Sequence, residues 1–424
     1  MNYLTLDREA LLQAHTELQR QFDHFCTMGL SLNMARGKPS PEQLDLSAAF
    51  LNPPPSVCSP GGVDGRNYSV LEDLPEMRRW FADLLGLSAE SILLGGNSSL
   101  NLMYDSLCRL LLFGKLGSTP WCRLEKVKWL CPSPGYDRHF AVTEHLGFEL
   151  ITVPMTPEGP DMDLVERLVA GDAAIKGIWC VPLYANPQGA CYSDETVERL
   201  AAMETAAEDF TILWDNAYGV HHVYEPVALL DILEACARAG HADRVFYYFS
   251  TSKISFPGAG VSMMAMSPAN RREAVAHMTV QTIGPDKLNQ LRLMAVLPTP
   301  ADVEAHMKLQ ADRMLRPRFD IVLEALEREL GGTGLAEWIS PRGGYFVAVD
   351  TLEGCAARTV ALAGQAGVVM TGAGATFPYK KDPRDSNIRV APSYPTLEEL
   401  RTAMSLFCVC VKLAGVEKLL EGCA

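Results

Sequence analysis

Two apolar patterns alternate along most of the chain. Short blocks that are apolar on successive residues stand at Lys126–Cys131, Phe148–Val153, Gly177–Val181, Thr211–Asp215, Val245–Phe249 and Val261–Met266, with helically spaced stretches between them. A strand that is apolar on every residue has both faces covered, and strands separated by helices pair in parallel. The pattern predicts an α/β unit with a mostly parallel sheet. From Ala301 to about Leu330 the spacing is helical, and Pro317, which lacks an amide to donate, predicts a break or kink there. Gly331-Gly332 ends that stretch. Further strands are predicted at Gly344–Val349, Gly367–Thr371 and Asn387–Val390, then a helix from Thr396 to about Leu413, which together suggest a smaller α+β unit. The Pro/Gly-rich segment Asn52–Gly65 punctuates the chain earlier. The predicted division is an N-terminal arm that joins the small domain (1–55), a large domain (56–310) and a small C-terminal domain (311–424).

Composition narrows the partners. The 424 residues carry 37 Lys/Arg against 51 Asp/Glu, a net charge of −14, which repels phosphate backbones and anionic lipid surfaces. Neither nucleic acid nor membrane is an expected partner. The first thirty residues lack the basic start and apolar block of an export signal, and no apolar run approaches the ~18 residues of a membrane span. A cytoplasmic location is expected. Twelve cysteines form no CxxC pair, and His221-His222 are adjacent residues whose side chains face apart, so no metal site is expected.

Ligands of open α/β sheets collect at the carboxyl ends of strands, so the residues after each block carry the chemistry. Asn186 follows the Gly177–Val181 block in PLYANPQG. Asp215 ends the next block, with Tyr218 three residues on, and Lys253 follows the Val245–Phe249 block in STSK. Singly, each has an ordinary role as a cap, a packed aromatic or a solvated charge. Together, an Asn, a strand-end Asp, a Tyr at +3 and a Lys 253 − 215 = 38 residues beyond the Asp resemble the pyridoxal-phosphate (PLP) enzymes of the aspartate aminotransferase fold, fold type I. Leu94-Gly95-Gly96-Asn97-Ser98-Ser99 resembles that family's phosphate loop, and Arg66-Asn67-Tyr68 its intersubunit tyrosine segment. Ser133-Pro134-Gly135-Tyr136 resembles its ring-stacking segment, and Asn387-Ile388-Arg389-Val390 its carboxylate-binding strand. ARGKPSPEQLDLS at Ala35–Ser47, LGGNSSLNLMYD and STSKISFPGAG are similar to the divergent branch called subgroup Ic. The likeness spans nearly the whole chain.

The resemblance implies a large domain built on a mostly parallel sheet of the seven-stranded type, plus a smaller α+β domain. It implies that Lys253 forms a Schiff base with the PLP aldehyde and later shuttles a proton at the substrate Cα. Asp215 would pair with the pyridine nitrogen, Tyr218 and Asn186 with the 3′-oxygen, and Tyr136 would stack on the ring. Gly96, Asn97 and Ser98 would cradle the phosphate at a helix N-terminus, helped by Ser250 and Ser252. Tyr68 would reach the same phosphate from a second subunit, making a homodimer part of the site. Arg389 would grip the substrate α-carboxylate, with Asn186 and Arg36 beside it. One departure stands out: Phe256–Val261 holds no cation where many relatives place a phosphate-pairing arginine. A distal substrate carboxylate would need a further cation, for which Arg36, Lys38, Lys287 and Arg292 are candidates. The implied activity is transamination between an amino acid and a 2-oxo acid, first of all aspartate with 2-oxoglutarate. Alanine or aromatic specificity, a β-lyase and a decarboxylase stay open. A ligand-sensing MocR-like regulator is disfavoured by the acidic charge and by an arm too short for a helix-turn-helix domain.

Overall fold

Alternate residues of each apolar block enter opposite cores, which explains why the blocks lack an apolar/polar alternation. In Val245–Phe249, Val245, Tyr247 and Phe249 enter one core while Phe246 and Tyr248 enter the other. Ile212 and Trp214 likewise face the first core and Leu213 the second. With both faces buried, every position is selected for apolar burial.

The computed structural model describes residues 1–68 and 70–422. In chain order its strands are β1 (Leu32–Asn33), β2 (Ile92–Leu94), β3 (Lys128–Ser133), β4 (Glu149–Thr156), β5 (Gly159–Pro160), β6 (Ile175–Cys180), β7 (Thr211–Asp215), β8 (Val245–Ser250), β9 (Ser262–Met266), β10 (Ala336–Trp338), β11 (Val347–Thr351), β12 (Val368–Val369) and β13 (Asn387–Val390). The main sheet has eight strands in the order β2-β9-β8-β7-β6-β3-β4-β5. β4, β3, β6, β7 and β8 pair in parallel, whereas β9 runs against both its neighbours. The two-residue β5 is an antiparallel return on the far edge. Gly177, in the interior strand β6, permits close strand approach, because a Cβ there would lie 2.3 Å from the Thr211 carbonyl and 2.4 Å from the Trp129 ring.

A second, three-stranded antiparallel sheet runs β10-β11-β13, and β1 from the N-terminal arm pairs in parallel with β12. A third core surrounds them, with Leu11, Leu18 and Phe22 of the first helix packed beside Phe407, Val411 and Leu413 of the last. The arm therefore shares a core with the C-terminal part of the chain. Across Pro317 the helix widens and continues: Pro300–Gln310 passes through a π turn, Ala311–Leu315, into Arg316–Leu330. Pro317 sits at the start of the last segment, and the wide turn in front of it, with Arg316 N–H bonded to the Ala311 carbonyl, absorbs the missing amide. Val303 and Met307 at one end pack in one core and Leu315, Phe319 and Val322 at the other pack in another, so this helix ties the two.

The last helix runs Leu397–Gly422, beyond the predicted end near Leu413. Gly415 packs against Leu335, whose Cδ2 would lie 2.9 Å from a Cβ, so this glycine serves close packing instead of helix termination. Among the described residues no helix is long and apolar enough to cross a membrane.

Candidate active site

The loops leaving the carboxyl ends of β2, β3, β6, β7 and β8 converge, as the topology of a doubly covered sheet requires. They bring Ser98, Tyr136, Asn186, Asp215, Tyr218, Ser250, Ser252 and Lys253 onto one cavity of about 180 Å³, closed on the other side by Gly37 and Phe346. Gly37 has to be glycine: a Cβ would lie 2.1 Å from the Phe346 ring.

Asp215 is buried at the end of β7. Its Oδ2 accepts from His139 Nε2 at 3.0 Å, and an accepting carboxylate puts the imidazole proton on Nε2. His139 is itself fixed by stacking on Trp179, ring centroids 4.2 Å apart and 8° from coplanar. The other oxygen, Oδ1, is buried and has no partner among the described residues. A buried carboxylate oxygen left unpaired is costly, so this atom is prepared for a donor that the protein does not supply.

Lys253 lies one turn past β8, its Nζ 4.8 Å from the centroid of the Tyr218 ring. Burial pushes the ammonium pKa down, opposed by the nearby Asp215 charge, so more of the amine is neutral and nucleophilic than in a solvated lysine. Burial also raises the Tyr218 phenol well above its ordinary value, and lifts Tyr136 to about 12. His221 sits behind this pair. Burial and the Lys253 and His222 charges hold it down to about 3, and neither ring nitrogen has a partner among the described residues. His222 faces elsewhere, to the Tyr184 hydroxyl at 2.6 Å. Among the described residues no cluster of three His, Cys, Asp or Glu could hold a metal.

Gly96, Asn97 and Ser98 lead into the helix Ser99–Phe113. The Ser98 side chain makes no capping bond, which leaves the first amides of that helix for a ligand. Asn97 is tied elsewhere: its amide donates to the Pro257 carbonyl at 3.0 Å, and its carbonyl accepts from Ser252 Oγ at 2.6 Å. Ser250 Oγ donates to Ser252 Oγ at 3.2 Å, so both hydroxyl protons must turn to serve an anion in the cavity. The loop after Lys253 is braced from outside, Asn289 Nδ2 donating to the Ala259 and Gly260 carbonyls at 2.8 and 2.9 Å, with Arg292 on Asn289 Oδ1.

Arg389, on β13, approaches from the second sheet. Its Nη1 donates to Asp137 Oδ1 at 2.9 Å and to Asn186 Oδ1 at 3.4 Å. The other candidate cations lie further out or elsewhere. Arg36 and Lys38 are exposed on either side of Gly37, Lys38 with its ammonium 4.1 Å from the Tyr394 ring centroid. Lys287 is buried at the start of Lys287–Val296 and acts electrostatically on Asp73. Tyr68 is separate from the cavity, 80% exposed on the outside of its own chain. The sequence gives no sign of His139 or Asp137 as site residues. Their positions in the turn after Tyr136 are the only local hint, and their partners are distant in the chain.

The family model described as aspartate amino-transferase matches residues 6–422. The chain is 43% identical to an aspartate aminotransferase of Corynebacterium glutamicum, over 97% of this chain and 96% of the other. It is 46% identical, over 99% of both chains, to a Mycolicibacterium smegmatis protein named only as an aminotransferase. A crystal structure of an aspartate transaminase from Corynebacterium glutamicum superposes with a TM-score of 0.96 at 42% identity, covering 99% of each chain.

Proposed function

The chain belongs to the aspartate aminotransferase family, PLP-dependent aminotransferases of fold type I, and from that premise we propose that it transfers the amino group of aspartate to 2-oxoglutarate, as a cytoplasmic homodimer. The observation that carries the site assignment is the unpaired, buried Oδ1 of Asp215 in the same cavity as the Lys253 amine.

The residues fit PLP. Asp215 would hold the protonated ring nitrogen through Oδ1, while His139 orients the carboxyl group through Oδ2. Tyr136 would cover one ring face, and Tyr218 and Asn186 would donate to the 3′-oxygen. The amides following Gly96, Asn97 and Ser98, with the Ser250 and Ser252 hydroxyls, would take the phosphate in place of the cation missing from Phe256–Val261. Bound there, PLP supplies an aldehyde that accepts the amino group and a ring that stabilises the electron pair left at the substrate Cα. Lys253 would hold the aldehyde covalently and, once released, carry the Cα proton, a task suited to an amine whose proton affinity burial has lowered. Arg389, with Asn186 beside it, would orient the α-carboxylate so that the Cα–H bond faces the lysine. Arg36, exposed beside Gly37, would be a cation for the substrate. Tyr68, exposed on its own chain, would serve the phosphate of a second copy. In this reading 56–310 holds the cofactor, and the arm 1–55 with 311–424 covers the substrate.

Aspartate is favoured by the likeness at 43% identity to a protein named aspartate aminotransferase. The test supplies PLP-loaded protein with 2-oxoglutarate and, separately, aspartate, alanine, phenylalanine and 2-aminoadipate, following glutamate formation. The highest kcat/KM is expected for aspartate. A higher value for another donor overturns the specificity, and consumption of single amino acids without glutamate formation overturns transfer.

A further inference from the structure

Arg389 is already engaged before any substrate arrives. A guanidinium offers a carboxylate two parallel forks, Nε with Nη2 or Nη1 with Nη2. In the first fork, Nε is buried and has no partner among the described residues. Half of the second is taken, because Nη1 donates to Asp137 Oδ1 at 2.9 Å and to Asn186 Oδ1 at 3.4 Å. The guanidinium lies over Phe346, 4.9 Å from the ring centroid to Cζ. Asn186 and Phe346 line the cavity at this end, and Arg389 stands behind them. Asp137 is the first residue of the helix Asp137–His145, next to Tyr136, and its side chain keeps 36% exposure against 9% for the arginine. The group on Arg389 is thus a carboxylate, the same chemistry that an amino acid or 2-oxo acid presents, and it sits where water can receive it on release.

We propose that Asp137 is a resident carboxylate that occupies Arg389 in the empty site and gives way to the α-carboxylate of the incoming substrate. The inference rests on Arg389 as the carboxylate grip of the proposed reaction. Exchanging one carboxylate for another leaves the arginine paired throughout, so no buried charge is stranded during binding. The exchange has a kinetic signature. Asp137 competes with substrate, so it raises KM for donor and acceptor alike and acts little on kcat. A residue that merely braced Arg389 would do the reverse, and its loss would weaken carboxylate binding.

The test uses the full-length Asp137→Asn and Asp137→Ser proteins. Both replacements suit a helix start, and thermal melts check that each is folded. KM and kcat are measured with PLP for aspartate and 2-oxoglutarate. The binding of succinate, a carboxylate with no group to transfer, is measured by calorimetry on cofactor-free and PLP-loaded protein. Losing a charge-assisted, partly exposed partner should lower both KM values and the succinate Kd about two- to tenfold, with kcat within about twofold of wild type. An unchanged or higher succinate Kd in the folded variants overturns the proposal. Absence of transamination by the wild-type protein would instead remove the functional reading, and the succinate comparison would still decide whether Asp137 competes for Arg389.

Discussion

His139→Phe isolates the support of the site from its chemistry. Phenylalanine keeps an aromatic ring against Trp179, where His139 now stacks at 4.2 Å, but it deletes the Nε2 donor 3.0 Å from Asp215 Oδ2. Both side chains are almost fully buried, at 1% and 5% exposure, and Asp215 Oδ1 already lacks a partner. The variant would leave a buried carboxylate with no hydrogen bond. Leaving a buried acceptor without its donor costs about 1–3 kcal/mol. For 424 residues, an unfolding entropy of ~2.1 cal/mol/K per residue gives roughly 0.9 kcal/mol/K, so Tm should fall by about 1–3 °C in the cofactor-free protein. Because Asp215 is the proposed partner of the ring nitrogen, PLP affinity, read from quenching of tryptophan fluorescence, should weaken as well. Calorimetric melting of the two proteins side by side is the assay. An unchanged Tm, together with unchanged PLP affinity, would refute the claim that this imidazole holds Asp215 in place.

Three further outcomes follow. Burial raises the Asp73 carboxyl from 3.8 to about 7, so the folded chain holds its proton where the unfolded chain has lost it, and stability falls as pH rises from about 4 to about 7. Asp73→Asn, tolerable at φ +70°, should flatten that dependence, gaining up to about 4 kcal/mol relative to wild type on going from pH 4 to pH 8; equal slopes in urea midpoints at the two pH values would contradict it. Gly177→Ala forces a methyl to within 2.3 Å of the Thr211 carbonyl and 2.4 Å of Trp129 in the sheet interior; a loss of about 1–3 kcal/mol or more is expected in denaturant unfolding. Gly37→Ala pushes on Phe346, the ring that covers Arg389, and should raise KM for substrates more than the Kd for PLP.

Much of the large sheet was legible because its strands are buried on both faces and so read as unbroken apolar runs. β2 escaped notice, as three residues between polar turns carry too little periodicity. β12 falls inside the predicted strand Gly367–Thr371, whereas its two-residue partner β1 exists as a strand only through the pairing of Leu32 with Val368 and Asn33 with Val369, invisible to local pattern. Pro317 was legible as a perturbation, yet its form, a π turn continuing into helix, is decided by packing on either side. The last helix was legible from Thr396 to about Leu413, and its continuation to Gly422, with Gly415 packed against Leu335, was not. In the candidate site, Asp215, Tyr218, Asn186 and Lys253 stand at or after strand ends, and their order and spacing along the chain carry the family resemblance. His139 and Asp137 act through residues 76 and 252 positions away, so nothing near them in the sequence signals the partnership.

The covalent attachment of the cofactor is the most direct test of the whole account. PLP-loaded protein is treated with borohydride, digested, and mapped by tandem mass spectrometry. The phosphopyridoxyl group is expected on Lys253, in the peptide containing STSK, and it should be missing from Lys253→Ala treated in parallel. Its appearance on another lysine at full occupancy, or on none, would contradict the assignment of this cavity.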